Sequence, residues 1–242
     1  MSTGALVLAA ALWGAAAGAL LPRAAYRFSA PSGEAWREEC PGGHAVRGWL
    51  GRAACARCAE PGYGPRAAPL MIAGALVCAA LAAATGTRPE LGVWLLLAPV
   101  GVLLTVVDLR VRRLPDPLTL PFAAAALALL GLTALVPEHA GVWTTALLGS
   151  LALGAGYFVL FLINPAGMGF GDVKLALGTG AVLGWYGWPT VMLGTFAGFL
   201  LGALYGVALM IARRATRKTA IPFGPFLIAG AFLGLLVGSG AA

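Results

Sequence analysis

Residues 91–107 read LGVWLLLAPVGVLLTVV, seventeen positions without a charged side chain, and Asp108 follows at once. A helix needs about 20 mostly apolar residues to cross the hydrocarbon core of a bilayer, with a range of roughly 17–25. This stretch can therefore form a transmembrane helix that ends at an acid. Counting it, the chain has eight apolar runs, near 4–21, 68–85, 91–107, 118–136, 142–163, 175–187, 188–211 and 222–239. The run at 175–187 is short and glycine-rich, so its ends are the hardest to place.

The composition of the whole chain agrees with that interpretation. Of its 242 residues, 60% are hydrophobic and 10% are charged, whereas soluble domains have roughly 45–50% and about 25%. A soluble fold of this composition has too little polar surface to cover itself. An ordinary cytosolic enzyme, a disordered protein and a nucleic-acid-binding module are therefore excluded. We expect an all-α, polytopic membrane protein with about eight transmembrane helices.

Positive charge is distributed unevenly between the two sides of the predicted membrane. Fifteen of the sixteen Lys and Arg residues fall in the alternate loops 22–67, 108–117, 164–174 and 212–221, and only Arg88 falls on the other side. Because Lys and Arg concentrate in cytoplasmic loops, these loops are predicted to be cytoplasmic and the N-terminus to lie outside. The net charge of +7 is then a topology signal. The first run lacks a preceding basic residue, which favours a retained helix over a signal peptide.

Two of the nine acidic residues stand out by their position. Asp108 ends the third apolar run and Asp172 precedes the sixth, so both are predicted at the same depth on the cytoplasmic side. An ionisable group in or beside a span is costly and indicates a functional site. Two neighbouring carboxylates can share a proton, as in aspartic proteases, where one activates water and the other polarises a carbonyl. The alternative is an interfacial ion pair of Asp108 with Arg110 or Arg112, and a helix cap at Asp172.

Alternating glycines precede the second of these aspartates. Residues 167–174 read GMGFGDVK, with glycine at every second position up to Gly171. Glycine permits unusual backbone angles and the close approach of another chain. Non-helical backbone at membrane depth is tolerated only where protein or a wet cavity surrounds it. The pattern therefore favours a functional site over a simple interfacial turn.

These stretches resemble the type IV prepilin peptidases, membrane aspartic proteases of the G-x-G-D kind. The resemblance rests on residues 167–175, on Asp108 with the Leu-Pro-Asp stretch at 114–116, and on the Ile-Pro-Phe-Gly-Pro-Phe stretch at 221–226. It implies that Asp108 and Asp172 are the catalytic pair. It also implies cleavage of the basic leader of prepilins at the cytoplasmic face of a bacterial inner membrane. Many bacterial members then N-methylate the new terminus with S-adenosylmethionine.

The resemblance further implies a set of residues that bind substrate or line the site: Gly169, Gly171, Asp116, Lys174, Pro222 and Gly224. Asp116 lies between two prolines that restrict its backbone, so we interpret it as structural or substrate-orienting. Lys174 either tunes Asp172 electrostatically or extends to the interface as an ordinary snorkelling lysine.

The first long loop contains a candidate metal site. Cys55 and Cys58 form a C-x-x-C pair, and Cys40 and His44 lie upstream. Similar bacterial enzymes carry two C-x-x-C pairs here, and in this chain a glycine occupies the expected second cysteine. With His44 as a replacement, the four residues suit a structural zinc. The alternative is a degenerate finger without metal, and the same departure puts methylation in doubt.

Taken together, these features predict a first transmembrane helix at 1–21, a small cytoplasmic subdomain at 22–67 and a seven-helix catalytic domain at 68–242. The predicted activity is an aspartic endopeptidase that needs no cofactor for proteolysis. Prepilins or pseudopilins are its predicted substrates and the lipid bilayer its surroundings, with no nucleic acid. The rival hypotheses are a proton-coupled small transporter that uses membrane aspartates and a non-catalytic assembly factor.

Overall fold

The computed structural model describes residues 2–59, 62–165, 167–214 and 221–241, and within them the fold is all-helical. Two isolated β-bridges in the first loop are the only extended pairings among these residues. The eight helices in the described part are α1 (Thr3–Phe28), α2 (Ala67–Thr85), α3 (Glu90–Val111), α4 (Asp116–Thr133), α5 (Trp143–Ile163), α6 (Phe170–Gly184), α7 (Trp188–Ile211) and α8 (Gly224–Ala241). Of the predicted cytoplasmic cations, Arg217 and Lys218 lie outside the described residues, as does Glu60 in the first loop.

Seven of these eight helices are long and apolar enough to cross a bilayer, which confirms a multi-pass membrane protein. The exception is α6, with 15 residues, of which 11 are buried. At 1.5 Å per residue it is only about 22 Å long. It packs against α4, α5, α7 and α8, so protein rather than lipid surrounds it. This position explains why its sequence is short and rich in glycine.

The helix α1 continues to Phe28, seven residues beyond the predicted end of the first span. Pro22 lies inside the helix and has no amide hydrogen to continue the ladder. A loop residue pairs with the backbone on either side of it. The amide of Arg23 donates to the carbonyl of Gly51 at 3.0 Å, and the amide of Gly51 donates to the carbonyl of Leu20 at 2.7 Å. The first loop is thus hydrogen-bonded to the helix itself.

The last turn of α1 also holds the loop through side chains. Arg27 is buried, and its guanidinium donates to the carbonyls of Arg37 at 3.1 Å and Gly48 at 2.9 Å. The hydroxyl of Tyr26 donates to the carbonyl of Glu39 at 2.9 Å. Buried carbonyls need such donors, so these residues, which the sequence places in the loop, are its internal scaffold.

A second connection joins the loop to the turn between α3 and α4. The Nη1 of Arg113 donates to the carbonyls of Ala30 at 3.4 Å, Pro31 at 2.8 Å and Glu34 at 3.3 Å. Its guanidinium carbon lies 4.3 Å from the ring centre of Trp36. The end of the bundle that carries the first loop, called the loop end below, is therefore cross-connected between its first and third helices.

The opposite end of the bundle contains a buried acid. Glu90 is 0% exposed. Its Oε1 accepts hydrogen bonds from the amide of Ala140 and the hydroxyl of Tyr186, each at 3.3 Å. Arg88 lies 4.0 Å from the same oxygen and donates to the carbonyl of Ser239 at 2.6 Å. These contacts connect three turns and the end of α8 into one polar network.

Candidate active site

Asp108 lies in the last turn of α3, at the loop end of the bundle, and is 4% exposed. Its Oδ2 accepts a hydrogen bond at 3.1 Å from the amide of Gly224. Gly224 is the first residue of α8. One turn later, Arg112 closes α3 in the left-handed conformation with φ of 51°, and its amide donates to the carbonyl of Asp108 at 2.8 Å. The carboxylate is therefore fixed by a helix that is distant in sequence.

Asp172 lies in the first turn of α6 and is 7% exposed. The helix begins at Phe170, earlier than the predicted 175. Asp172 Oδ2 accepts a hydrogen bond from the amide of Gly169 at 3.1 Å, and its own amide donates to the carbonyl of Gly169 at 3.0 Å. The N-cap of α6 is therefore Gly169, and Asp172, at the third position of the helix, returns a side-chain hydrogen bond to it instead of being the cap that the alternative interpretation expects. Its Oδ1, however, is buried with no hydrogen-bond partner among the described residues.

Glycines allow the two aspartates to approach each other. A Cβ at Gly224 would lie 2.8 Å from Asp108 Oδ2 and 3.2 Å from Leu114 Cδ1. A Cβ at Gly171 would lie 2.8 Å from Leu114 Cβ. Leu114, in the turn between α3 and α4, is thus packed between the starts of α6 and α8. A larger residue at either glycine would separate these elements, which gives a packing reason for the glycine before Asp172.

Asp108 acts electrostatically on Asp172, so the two carboxylates lie near each other at the loop end of the bundle. Ionising two neighbouring buried carboxylates at once costs free energy, because like charges repel in a medium of low dielectric. The positive ends of the α6 and α8 dipoles lie at the same place and favour the remaining negative charge. A pair of carboxyl groups arranged in this way can hold one proton and bind a water molecule.

Lys174 and Asp116 form an ion pair with each other. Lys174 Nζ lies 2.7 Å from Asp116 Oδ2, and the side chains are 19% and 59% exposed. Lys174 Nζ also lies 4.9 Å from the ring centre of Phe170. The pair joins the start of α4 to the start of α6 on the open side of the site. Pro222, half-buried, precedes α8, so all the predicted lining residues lie at the loop end.

The sequence analysis missed Tyr157, and it named Leu114 only as part of the stretch at 114–116, without a packing role. Tyr157 on α5 is 2% exposed. Its hydroxyl lacks a hydrogen-bond partner within the described part of the chain, and it interacts electrostatically with Asp172. A buried tyrosine normally finds a partner for its hydroxyl, so a tyrosine in an otherwise apolar run was an available signal. Leu114 gave no comparable signal, because a leucine at a membrane boundary is ordinary.

In the first loop, the four predicted metal ligands lie together. The ligand atoms of Cys40, His44, Cys55 and Cys58 are all within 4.8 Å of one another. The Nδ1 of His44 is 3.5 Å from the sulfurs of Cys40 and Cys58 and 3.6 Å from that of Cys55. The two sulfurs of Cys40 and Cys58 are 3.5 Å apart. Around a tetrahedral zinc, bond lengths of about 2.3 and 2.05 Å place sulfur and nitrogen about 3.6 Å apart and two sulfurs about 3.8 Å apart.

The thiols of this cluster differ in acidity. Burial opposes ionisation of Cys40, but hydrogen bonds from the backbone of His44 and from Cys58 outweigh it and lower the pKa of Cys40 to about 6. Hydrogen bonds to Cys40 and Cys55 raise the pKa of Cys58 to about 11. Metals bind thiolates, so the donor set suits a metal in both geometry and chemistry.

These features define a class: an all-helical, multi-pass membrane protein with a buried pair of carboxylates at one end of the bundle. The chain belongs to the type IV leader peptidase family, whose family model matches residues 95–207. That range contains both aspartates but not the first loop.

Relatives named prepilin leader peptidase/N-methyltransferase cover more of the chain. One from Pseudomonas aeruginosa is 32% identical over 218 residues, 82% of this chain and 71% of that protein. One from Burkholderia pseudomallei is 32% identical over 225 residues, 84% and 68% respectively. One from Aeromonas salmonicida is 39% identical over 154 residues, 60% and 48%. The chain spans about half the length of the Aeromonas relatives it matches. No solved structure matches the chain.

Proposed function

We propose that this protein is a membrane aspartic endopeptidase that removes the basic leader of prepilin-like proteins. The observation that carries the proposal is the carboxylate pair. Asp108 and Asp172, far apart in sequence, are buried together at the end of the bundle, and each is held by a backbone amide. The pair brings together two acids, which is the arrangement that aspartic proteolysis needs. Membership of the leader peptidase family and the names of the relatives support the same activity.

The chemistry follows from the paired carboxylates. The ionised member takes a proton from water as the water oxygen attacks the peptide carbonyl carbon. The protonated member gives its proton to the carbonyl oxygen, forming a tetrahedral diol. When the carbon–nitrogen bond breaks, a proton passes to the leaving nitrogen and the pair returns to its starting state. The Oδ1 of Asp172, which is buried and unpartnered among the described residues, is the atom most available to hold the water.

The same proposal assigns an orientation. The site lies at the loop end, where the arginine-rich loop lies, and the distribution of charge favours a cytoplasmic position for that end. A basic leader would then be cut on the cytoplasmic side of a bacterial inner membrane while the rest of the substrate stays in the bilayer.

The direct test replaces each aspartate by its uncharged isostere. Asp108→Asn and Asp172→Asn, co-expressed with a prepilin, should leave its leader uncut, as read by mass spectrometry of the pilin N-terminus. Glu138→Gln, in an exposed turn at the opposite end, is a matched loss of one carboxylate and should process normally. If both Asn variants reach the membrane and still process the prepilin, the assignment is wrong and a transporter or assembly role becomes the better hypothesis.

We further propose that the cluster in the first loop holds a structural zinc. Cys40, His44, Cys55 and Cys58 would supply its ligands, and the metal would stabilise a loop that has little core of its own. Metal analysis of the purified protein should give one zinc per chain, lost in Cys55→Ser. A metal content equal in both proteins would reject the site and leave the degenerate finger. N-methylation is a prediction taken from the names of the relatives, and the same mass spectra report it as one added methyl group.

A further inference from the structure

An apolar groove of about 460 Å³ runs along the bundle between α2, α3 and α8. Phe122 of α4 and two residues of α6 also line it. Apart from Thr105 and Thr179, the lining side chains are apolar. The groove is open at the surface of the bundle, since its α2, α3 and α8 walls include partly exposed residues. Neither Asp108 nor Asp172 lines it.

One end of the groove reaches the candidate active site. Thr105, which lines it, lies on α3 three residues before Asp108, so both are on neighbouring parts of one helix face. Pro225 also lines it and directly follows Gly224, whose amide binds Asp108. A segment that leaves the carboxylates along the bilayer normal therefore enters this groove.

The groove is long enough, and apolar enough, to receive the side chains along one face of a helix. On α3 its lining extends from Trp94 to Val106, about 18 Å at 1.5 Å per residue, more than half of a hydrocarbon core of about 30 Å. Small residues, among them Ala98, Gly101 and Ala229, lie along it. Small residues let helix backbones approach closely in lipid, where shape rather than the hydrophobic effect drives association.

We propose that this groove binds the apolar membrane helix of the prepilin substrate that follows the scissile bond. The inference rests on the proposed function and adds to it the surface that recognises the substrate. The groove holds the helix in line with α3, and the chain emerging from its end presents the peptide bond to Asp108 and Asp172. Since the lining described by the structure carries no charge, the basic leader lies beyond the carboxylates at the loop end.

The first experiment fills the groove. Ala98→Phe and Ala229→Phe each place a bulky ring in it, and Ala203→Phe on the exposed face of α7 is the matched control. Cleavage of a purified prepilin would be followed in proteoliposomes. We expect the two groove variants to raise KM about tenfold with a smaller change in kcat, and the control to match the wild type. Unchanged KM in both groove variants, with the protein folded, overturns the proposal.

The second experiment does not depend on bulky substitutions. A photo-crosslinking residue at Ile228, which lines the groove, would be placed in the Asp172→Asn protein in membranes that contain the prepilin. A control carries the same residue at Leu204, which is 58% exposed on α7. We expect adducts with the apolar segment of the prepilin from Ile228 and not from Leu204. Adducts with lipid alone, with a second copy of this chain, or equally from both positions overturn the proposal.

The two proposals fail in different ways. If Asp108→Asn and Asp172→Asn abolish cleavage while the groove variants keep a normal KM and give no prepilin adducts, only the groove assignment is wrong. If the Asn variants still cleave, the proposed function is wrong whatever binds in the groove.

Discussion

Replacing Gly224 by alanine should impair catalysis with little loss of folding. The added Cβ would lie 2.8 Å from Asp108 Oδ2, whereas ordinary contacts begin at 3.4 Å, so the carboxylate must move by about 0.6 Å. Leu114 Cδ1 lies 3.2 Å from the same Cβ, so it limits how far the start of α8 can shift to relieve the contact. A misplacement of about 1 Å in a catalytic group costs about a hundredfold in rate. We therefore expect kcat to fall about ten- to a hundredfold.

The assay is single-substrate kinetics with a purified prepilin in proteoliposomes. The control is Gly92→Ala, also on a helix, because a Cβ at Gly92 meets no atom of the described chain within 4 Å. Alanine there should leave kcat unchanged and stabilise α3 by about 0.5–1 kcal/mol. If Gly224→Ala retains kcat within twofold of the wild type, then contact with Gly224 does not position Asp108, and the geometric argument fails.

Three further changes test the fold. Glu90→Ala should lower the free energy of unfolding in mixed micelles by about 3–5 kcal/mol, because it breaks a buried charged network; a change under 1 kcal/mol would contradict this. Arg113→Ala removes the donor to three carbonyls, so hydrogen exchange should quicken at residues 30–34; unaltered protection there would show that other contacts hold the loop. Gly74→Leu would overlap the backbone of Gly14 and should lower the melting temperature, and an unchanged melt would refute that tight packing.

The helices that face lipid could be predicted from the sequence because charge-free runs are rare except in membranes. The ends of α1 and α6 could not. Arg23 and Arg27 are charged, which is typical of a loop beside a membrane helix. They lie in α1 because the carbonyls of the folded loop accept their hydrogen bonds. The start of α6 was missed because its glycines have low helix propensity, and burial by four neighbouring helices compensates.

Some features of the candidate site could likewise be predicted from the sequence, and others could not. The grouping of Cys40, His44, Cys55 and Cys58 could be predicted because all four lie in one short loop, and that of Asp108 and Asp172 because both end their predicted spans on the same side. The ion pair of Lys174 with Asp116 could not be predicted. It depends on how α4 and α6 are rotated about their axes, which weak amphipathicity in buried membrane helices leaves open.

The hydrogen bonds between Gly51 and the two sides of Pro22 have a consequence for protein engineering. Excising the first loop would remove the partners of the Arg23 amide and the Leu20 carbonyl, and an unsatisfied backbone group at membrane depth costs several kcal/mol. A minimal version of this protein would therefore also need alanine at position 22, which removes the clash of the proline ring with the preceding turn and lets the Arg23 amide and the Leu20 carbonyl bond within α1. In this molecule a proline in a helix and a glycine in a distant loop are thus linked, and neither can be changed without regard to the other.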